Sequence, residues 1–205
     1  MERNAIEALK QWKEDRERKP LVLKGARQVG KTWLMKEFGK KHYKNYVYLN
    51  FDEEEELRTI FQNNKNPKRI IELLSMIAGE KIFPKETLLI FDEIQECPEA
   101  LNSLKYFKEN ANEYHLIAAG SLLGTLLSEA KSYPVGMVNL LHIYPLKFDE
   151  YLNATDSALF SYYSSIQKEQ KIEDIFHTRL QDSYNNYLII GGMPECVSSW
   201  VKYSD

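Results

Sequence analysis

At 205 residues, with 43% hydrophobic and 28% charged side chains, the sequence is ordinary for a globular chain with one sizeable core and an appendage. A net charge of −3 gives no support for a strongly basic nucleic-acid surface, although it leaves room for a local patch. Cys97 and Cys196 stand far apart without metal spacing, and His42, His115, His142 and His177 form no ligand pattern. No apolar run approaches the ~20 residues of a membrane span, and no signal-peptide core opens the chain, so reduced thiols and a cytoplasmic location are expected.

Met1 to Lys19 reads as a helix with a narrow apolar stripe of Ile6, Leu9 and Trp12, stopped by Pro20. A short apolar strand from Leu21 follows and runs into Gly25-Ala26-Arg27-Gln28-Val29-Gly30-Lys31-Thr32, the G-x-x-x-x-G-K-T spacing of a phosphate-binding loop. Each part of that pattern has a physical task. The glycines let the backbone curl so that successive N–H groups point inward at phosphate oxygens. The helix that starts at the loop turns its positive end to the same place. Lys31 supplies a point charge for the β and γ phosphates, and the Thr32 hydroxyl can ligate Mg²⁺. All eight residues are candidate nucleotide contacts; the competing reading is a plain glycine turn between a strand and a helix.

Thr32 to Lys41 reads as a helix burying Leu34, Met35 and Phe38, and Tyr43 to Phe51 as an aromatic strand. The acid run Asp52 to Glu56 fits the first turn of a helix and a solvated face better than a metal site. A polar loop from Asn63 leads to Pro67, which opens a helix running to Ala78 and ended by Gly79. Thr87 to Glu93 is a continuous apolar run closed by two carboxylates, the signature of a strand buried on both faces. Acids at its C-terminal end lie where open α/β sheets bind ligands. Asp92 is the candidate holder of Mg²⁺, and Glu93 the candidate general base for an attacking water. Alone, two solvated acids would be the better account; sixty-one residues after Lys31, in the right order, they pair with the loop.

Pro98 starts a helix expected to set Leu101, Leu104, Tyr106 and Phe107 on the sheet. Glu113 to Ala119 is a buried strand ending in Gly120-Ser121. In P-loop ATPases whose glutamate follows the strand aspartate, an extra strand lies between those of the loop and the aspartate, with a polar γ-phosphate sensor at its tip. Ser121 is that candidate, the alternative being a cap for a helix from Leu122. Ala119 breaks the G-x-S-x-G elbow, so Ser121 is no hydrolase nucleophile. Val138 to Tyr144 reads as a fifth strand closed by Pro145, and Lys147 to Asn153 as a helix with Phe148, Tyr151 and Leu152. The remainder reads as helical and amphipathic, with Tyr162, Ile166, Ile172, Ile175 and Phe176, and with a turn and helix start at Gly191-Gly192-Met193-Pro194-Glu195.

Gly25 to Thr32, Phe91-Asp92-Glu93-Ile94-Gln95, Ala119-Gly120-Ser121, Tyr144 to Leu152 and Gly191 to Glu195 occur in an order that resembles the predicted AAA+ superfamily ATPases of bacteria and archaea that carry a C-terminal domain of unknown function. The resemblance covers nearly the whole chain. It implies an α/β fold of the AAA+ P-loop type: a five-stranded parallel sheet, order 5-1-4-3-2, sandwiched by helices over residues 1–152, then a helical lid or linker over 153–205. It implies ATP and Mg²⁺ as ligands, and it makes this chain the ATPase half of a longer protein or a truncated copy.

On this reading the chain hydrolyses MgATP to ADP and phosphate to drive a conformational switch. Glu93, Lys31 and Ser121 are catalytic, and Thr32 and Asp92 hold the metal. No arginine occurs between Arg69 and Arg179, so an arginine finger within the chain is missing and a slow switch is the natural picture. Arg179 is a candidate lid arginine or a solvated helix-face charge, and Arg27 a candidate for an outward contact. The alternative function is a nucleotide-dependent binding or recruitment module with little hydrolysis. The arginine gap argues against a third, a small-molecule kinase. An unknown protein or DNA client and a homo-oligomer are compatible partners, DNA by analogy alone; a membrane is not expected.

Overall fold

Apolar runs that continue without alternation need cover on both faces, and parallel strands provide it. The computed structural model describes residues 3–62, 64–121 and 136–203. In it β1 (Leu21–Lys24), β2 (Asn45–Asn50), β3 (Thr87–Asp92), β4 (His115–Gly120) and β5 (Asn139–His142) form one sheet in the order β2-β3-β4-β1-β5. Every pairing is parallel, with Leu23 beside Ala119, Ile90 beside Ile117 and Asn50 beside Asp92. This is the expected order, counted from the other edge. β4 lies between β1 and β3, so the tip of the extra strand reaches the loop and the acids together.

The helices are α1 (Ala5–Glu14), α2 (Lys31–His42), α3 (Glu55–Gln62), α4 (Pro67–Ala78), α5 (Pro98–Asn110), α6 (Phe148–Thr155), α7 (Ser157–Ser165), α8 (Asp174–Ile190) and α9 (Pro194–Tyr203), with a 3-10 turn at Ile94–Glu96. The fold divides into two compact units. The larger, Glu7–Arg27 with Lys31–Ile143, holds the sheet. On one face Val22, Val47, Leu49, Leu89, Phe91, Leu116 and Ala118 pack with α3, α4 and α5 in a single core. The alternate residues Leu23, Leu88, Ile90 and Ile117 are equally buried and point the other way, where α2 meets β2, β3 and β4. The smaller unit comprises the described parts of residues 1–6 and 144–205 with Gln28–Gly30. Its core is Leu146, Tyr151 and Val197, flanked by Phe148, Tyr187 and Ile190. Here Gly192 approaches Leu146 so closely that a Cβ on it would collide with the Leu146 carbonyl.

Several expectations need correction. The first helix ends at Glu14 rather than Lys19: the Asp15 carboxylate accepts the Glu17 N–H at 2.8 Å, and the Trp12 indole donates to the Lys19 carbonyl at 2.7 Å, folding the chain back. Tyr106 does not face the sheet. It is exposed, because the buried stripe of α5 runs through Ala100, Leu101, Leu104 and Phe107. After α6 come helices of 9, 17 and 10 residues: the expected helical stretch is interrupted at residues 166–173, while the turn at Gly191, with φ of 75°, falls where it was expected. Ile175 is exposed, while Tyr162 and Phe176 stack at 4.0 Å between ring centroids. The helix expected from Leu122 lies outside the described residues.

Candidate nucleotide-binding site

β1 stops at Lys24 and α2 starts at Lys31, so the intervening loop turns within six residues. Two left-handed residues make the turn, Gln28 with φ of 63° and Gly30 with φ of 89°. Only glycine takes such an angle without strain, so Gln28 stores some. Lys31 is 6% exposed, and its Nζ donates to the carbonyls of Gly25 at 2.9 Å and Ala26 at 2.7 Å. Burial holds this ammonium below its usual pKa; Glu93 and Asp92 pull the other way, and Arg27 adds to the lowering. Arg27 itself is exposed.

At the end of β3 the pleat sends Phe91 into the large core and Asp92 to the opposite face. Asp92 is 2% exposed. Its Oδ2 accepts the Thr32 hydroxyl at 2.6 Å and the Tyr48 phenol at 3.1 Å, and its Oδ1 accepts the Glu93 N–H at 3.1 Å. The two expected metal-binding side chains, 60 residues apart, are thus in direct contact. Glu93 takes a left-handed conformation with φ of 48°, the second strained residue at the site. Its carboxylate accepts the Gln95 amide at 2.5 Å and the Ser121 hydroxyl at 3.3 Å from each oxygen. Loop lysine, hydroxyl, both acids and Ser121 therefore meet at the C-terminal ends of β1, β3 and β4.

The donor set suits a magnesium nucleotide. A hydroxyl and a carboxylate already paired at 2.6 Å offer two hard oxygens to one small cation. Mg²⁺ normally keeps several waters and takes one or two protein oxygens plus phosphates, so a larger protein cage is not required. Among the described residues no group of three His, Cys, Asp or Glu is placed to hold a metal. The acid run Asp52–Glu56 precedes and opens α3, with Asp52 N–H donating to the Asn50 side chain at 3.1 Å.

Three residues escaped the sequence reading. Tyr48 shares the strand face of Asn50, whose register partner is Asp92, so the period of two could have found it. Burial raises its phenol pKa, with the Asp92 charge adding to the effect, and the Lys36 Nζ sits 3.5 Å from its ring centroid. Gln95 was visible as part of a motif but carried no assigned role; its Oε1 is buried without a partner among the described residues. Arg3 gave no signal. It lies in the smaller unit, 7% exposed, pairing with Glu150 at 3.1 Å and donating to the Val29 carbonyl at 2.9 Å. Arg179 pairs with Asp156 at 2.7 Å, the residue that caps α7.

Comparison with known proteins bears on the fold and the family. A protein of Methanocaldococcus jannaschii, named Uncharacterized protein MJ1544, is 28% identical over 176 residues, covering 85% of this chain and 35% of that protein. The chain therefore spans about a third of the length of that curated relative. Two solved structures share the fold: Drosophila ORC bound to DNA, with TM-score 0.54, 19% identity and coverage of 97% and 58%, and C. elegans PCH-2, with TM-score 0.52, 14% identity and coverage of 98% and 60%. A signal-transduction ATPase of the STAND type from Pyrococcus horikoshii matches with TM-score 0.51 at 14% identity, over 96% of this chain and 30% of that one. Such identities speak for the fold alone, the AAA+ P-loop arrangement. The family described as AAA domain matches residues 17–152, from the approach to β1 through the greater part of α6, and the chain belongs to that family.

Proposed function

We propose that the chain binds MgATP at Gly25–Thr32 and hydrolyses it to ADP and phosphate. The observation that carries this reading is the 2.6 Å contact between Thr32 and Asp92, which joins the loop to the acid-tipped strand. Membership of the AAA domain family supports nucleotide binding in general. Thr32 and Asp92 would hold the Mg²⁺, which supplies charge neutralisation across the phosphates. Lys31, held by two loop carbonyls, exchanges them for phosphate oxygens. Glu93 orients and deprotonates the attacking water, and Ser121, already hydrogen-bonded to Glu93, reports on the γ-phosphate. The output is a conformational switch passed from an ATPase domain at 1–152 to a helical segment at 153–205 and a further domain in the longer protein.

Glu93 is engaged by Gln95 and Ser121, and this favours a second reading in which hydrolysis is held back and the ATP-bound state recruits a partner. A protein or DNA client fits either reading; DNA is suggested by the fold shared with ORC, whose structure contains it. A cytoplasmic protein able to self-associate is the setting we propose; no helix among the described residues is long and apolar enough to cross a membrane.

Phosphate release from MgATP, with and without DNA, tests this. Lys31→Ala should lose nucleotide binding. Glu93→Gln should keep binding and lose turnover by roughly 10²–10⁴-fold, the usual contribution of a general base. Tight ATP binding by the parent without turnover would favour the recruitment module, and a parent that binds no nucleotide would sink both readings.

A further inference from the structure

Arg3 is buried beneath the crest of the loop in a way that a merely structural arginine does not require. Its Nε pairs with Glu150 Oε1 at 3.1 Å, its Nη2 donates to the Tyr144 carbonyl at 2.7 Å, and its Nη1 donates to the Val29 carbonyl at 2.9 Å. Glu150 is fixed in turn: Oε1 also accepts the Asn4 N–H at 2.7 Å, and Oε2 accepts the Lys147 N–H at 2.9 Å at the start of α6. Both side chains of the pair are 5% exposed. An ion pair buried to this degree is poor value as a source of stability, since desolvation offsets most of the attraction. What it gives well is position.

The group positioned is a peptide of the phosphate loop. The peptide unit is planar and trans, so its C=O and N–H point in opposite directions. Fixing the Val29 carbonyl on Arg3 therefore fixes the Gly30 N–H, which is turned away from Arg3. Gly30 has φ of 89°, and a Cβ placed on it would meet Arg3 Nη1 at 3.4 Å and Pro194 Cγ at 3.6 Å, so the arginine packs against this very residue. We propose that Arg3, seated by Glu150, is a positioning residue for the phosphate loop, holding the Val29–Gly30 peptide so that the Gly30 N–H is presented to a nucleotide phosphate. The inference rests on the reading of this loop as a phosphate site. A lysine cannot replace the arginine, because one ammonium on a flexible stem does not span a carboxylate and two carbonyls in a fixed fork.

The test separates position from stability by measuring the Kd for MgATP and the thermal midpoint on the same variants. Arg3→Met leaves Glu150 buried and unpaired, so both quantities should worsen. The double variant Arg3→Met with Glu150→Gln removes both charges and should regain much of the thermal midpoint while its Kd stays about tenfold weaker, the loss expected for one charge-assisted hydrogen bond. Arg3→Lys keeps a charge beside Glu150 and carries the test should Arg3→Met fail to fold; it too should bind MgATP about tenfold more weakly while unfolding near the parent temperature. In turnover the deficit should fall on KM rather than kcat, as for a contact made equally before and during the reaction. Parental affinity in either the double variant or Arg3→Lys would overturn the proposal while leaving the loop's function standing. A parent chain that binds no MgATP would overturn the function first, and this inference with it.

Discussion

His115 shows how one buried side chain can write a pH dependence into the fold. Its Nδ1 meets the Tyr43 hydroxyl at 2.6 Å, its ring lies edge-on to Trp12 and Tyr43, and its Nε2 is buried without a partner among the described residues. Burial pushes the imidazole down to about 3, and the charges of Arg18, Lys13 and Lys85 push the same way. The unfolded chain takes up this proton near pH 6.5, the folded chain only near pH 3, so the stabilising effect of a neutral His115 is complete above pH 6.5 and is lost as pH falls. The slope is at most about 1.4 kcal/mol per pH unit. Urea unfolding of the parent and of His115→Phe at pH 7 and pH 5 should show the parent losing more stability, and parallel losses would refute the assignment. Among candidate site residues, legibility followed the kind of signal involved. Gly25 to Thr32, Asp92 and Glu93 were readable because chemistry fixes their spacing along the chain. Arg3 was not, because its partner Glu150 lies 147 residues away and no local pattern joins them.

At the scale of elements, α4 was read correctly to the residue because its ends carry their own chemistry. Asn66 accepts the Lys68 N–H at 3.0 Å, Pro67 needs no donor partner in the first turn, and Gly79 closes the helix in the left-handed region. Asn66→Ala should cost about 1 kcal/mol, measurable by chemical denaturation; an unchanged midpoint would mean that water replaces the cap. The first helix was read five residues too far at its C-terminal end because charged residues are good helix formers, and the fold-back that ends it depends on the Trp12 contact with Lys19. The C-terminal helices were legible in type and not in number. Their breaks at residues 166–173 rest on turn geometry, and only the Gly191-Gly192 turn was marked in the sequence.

Across the whole molecule the sheet order is the one that the family resemblance implied, and the packing of the large core follows from the apolar runs. Phe91 stands at its centre, with Phe51 and Phe61 each 5.6 Å away and Phe107 at 6.3 Å, all near edge-to-face. Phe91→Ala should cost about 3–5 kcal/mol of unfolding free energy and Phe91→Leu much less; a small loss for the alanine would mean that the four rings do not act as one core. Because all five strands run the same way, the sheet also has two unlike rims, and polar groups divide between them. Lys31, Asp92 and Ser121 belong to the rim of strand ends. His115, Thr87 and Asn45 lie at the rim of strand starts, where Thr87 donates to Asn45 at 2.7 Å and His115 Nδ1 pairs with the Tyr43 hydroxyl. If the rim of strand ends is the instrument, the other is a mounting: a dye, tag or surface tether attached near Lys85 or Glu113, where the two loops are joined backbone to backbone, stands at the rim opposite the proposed site.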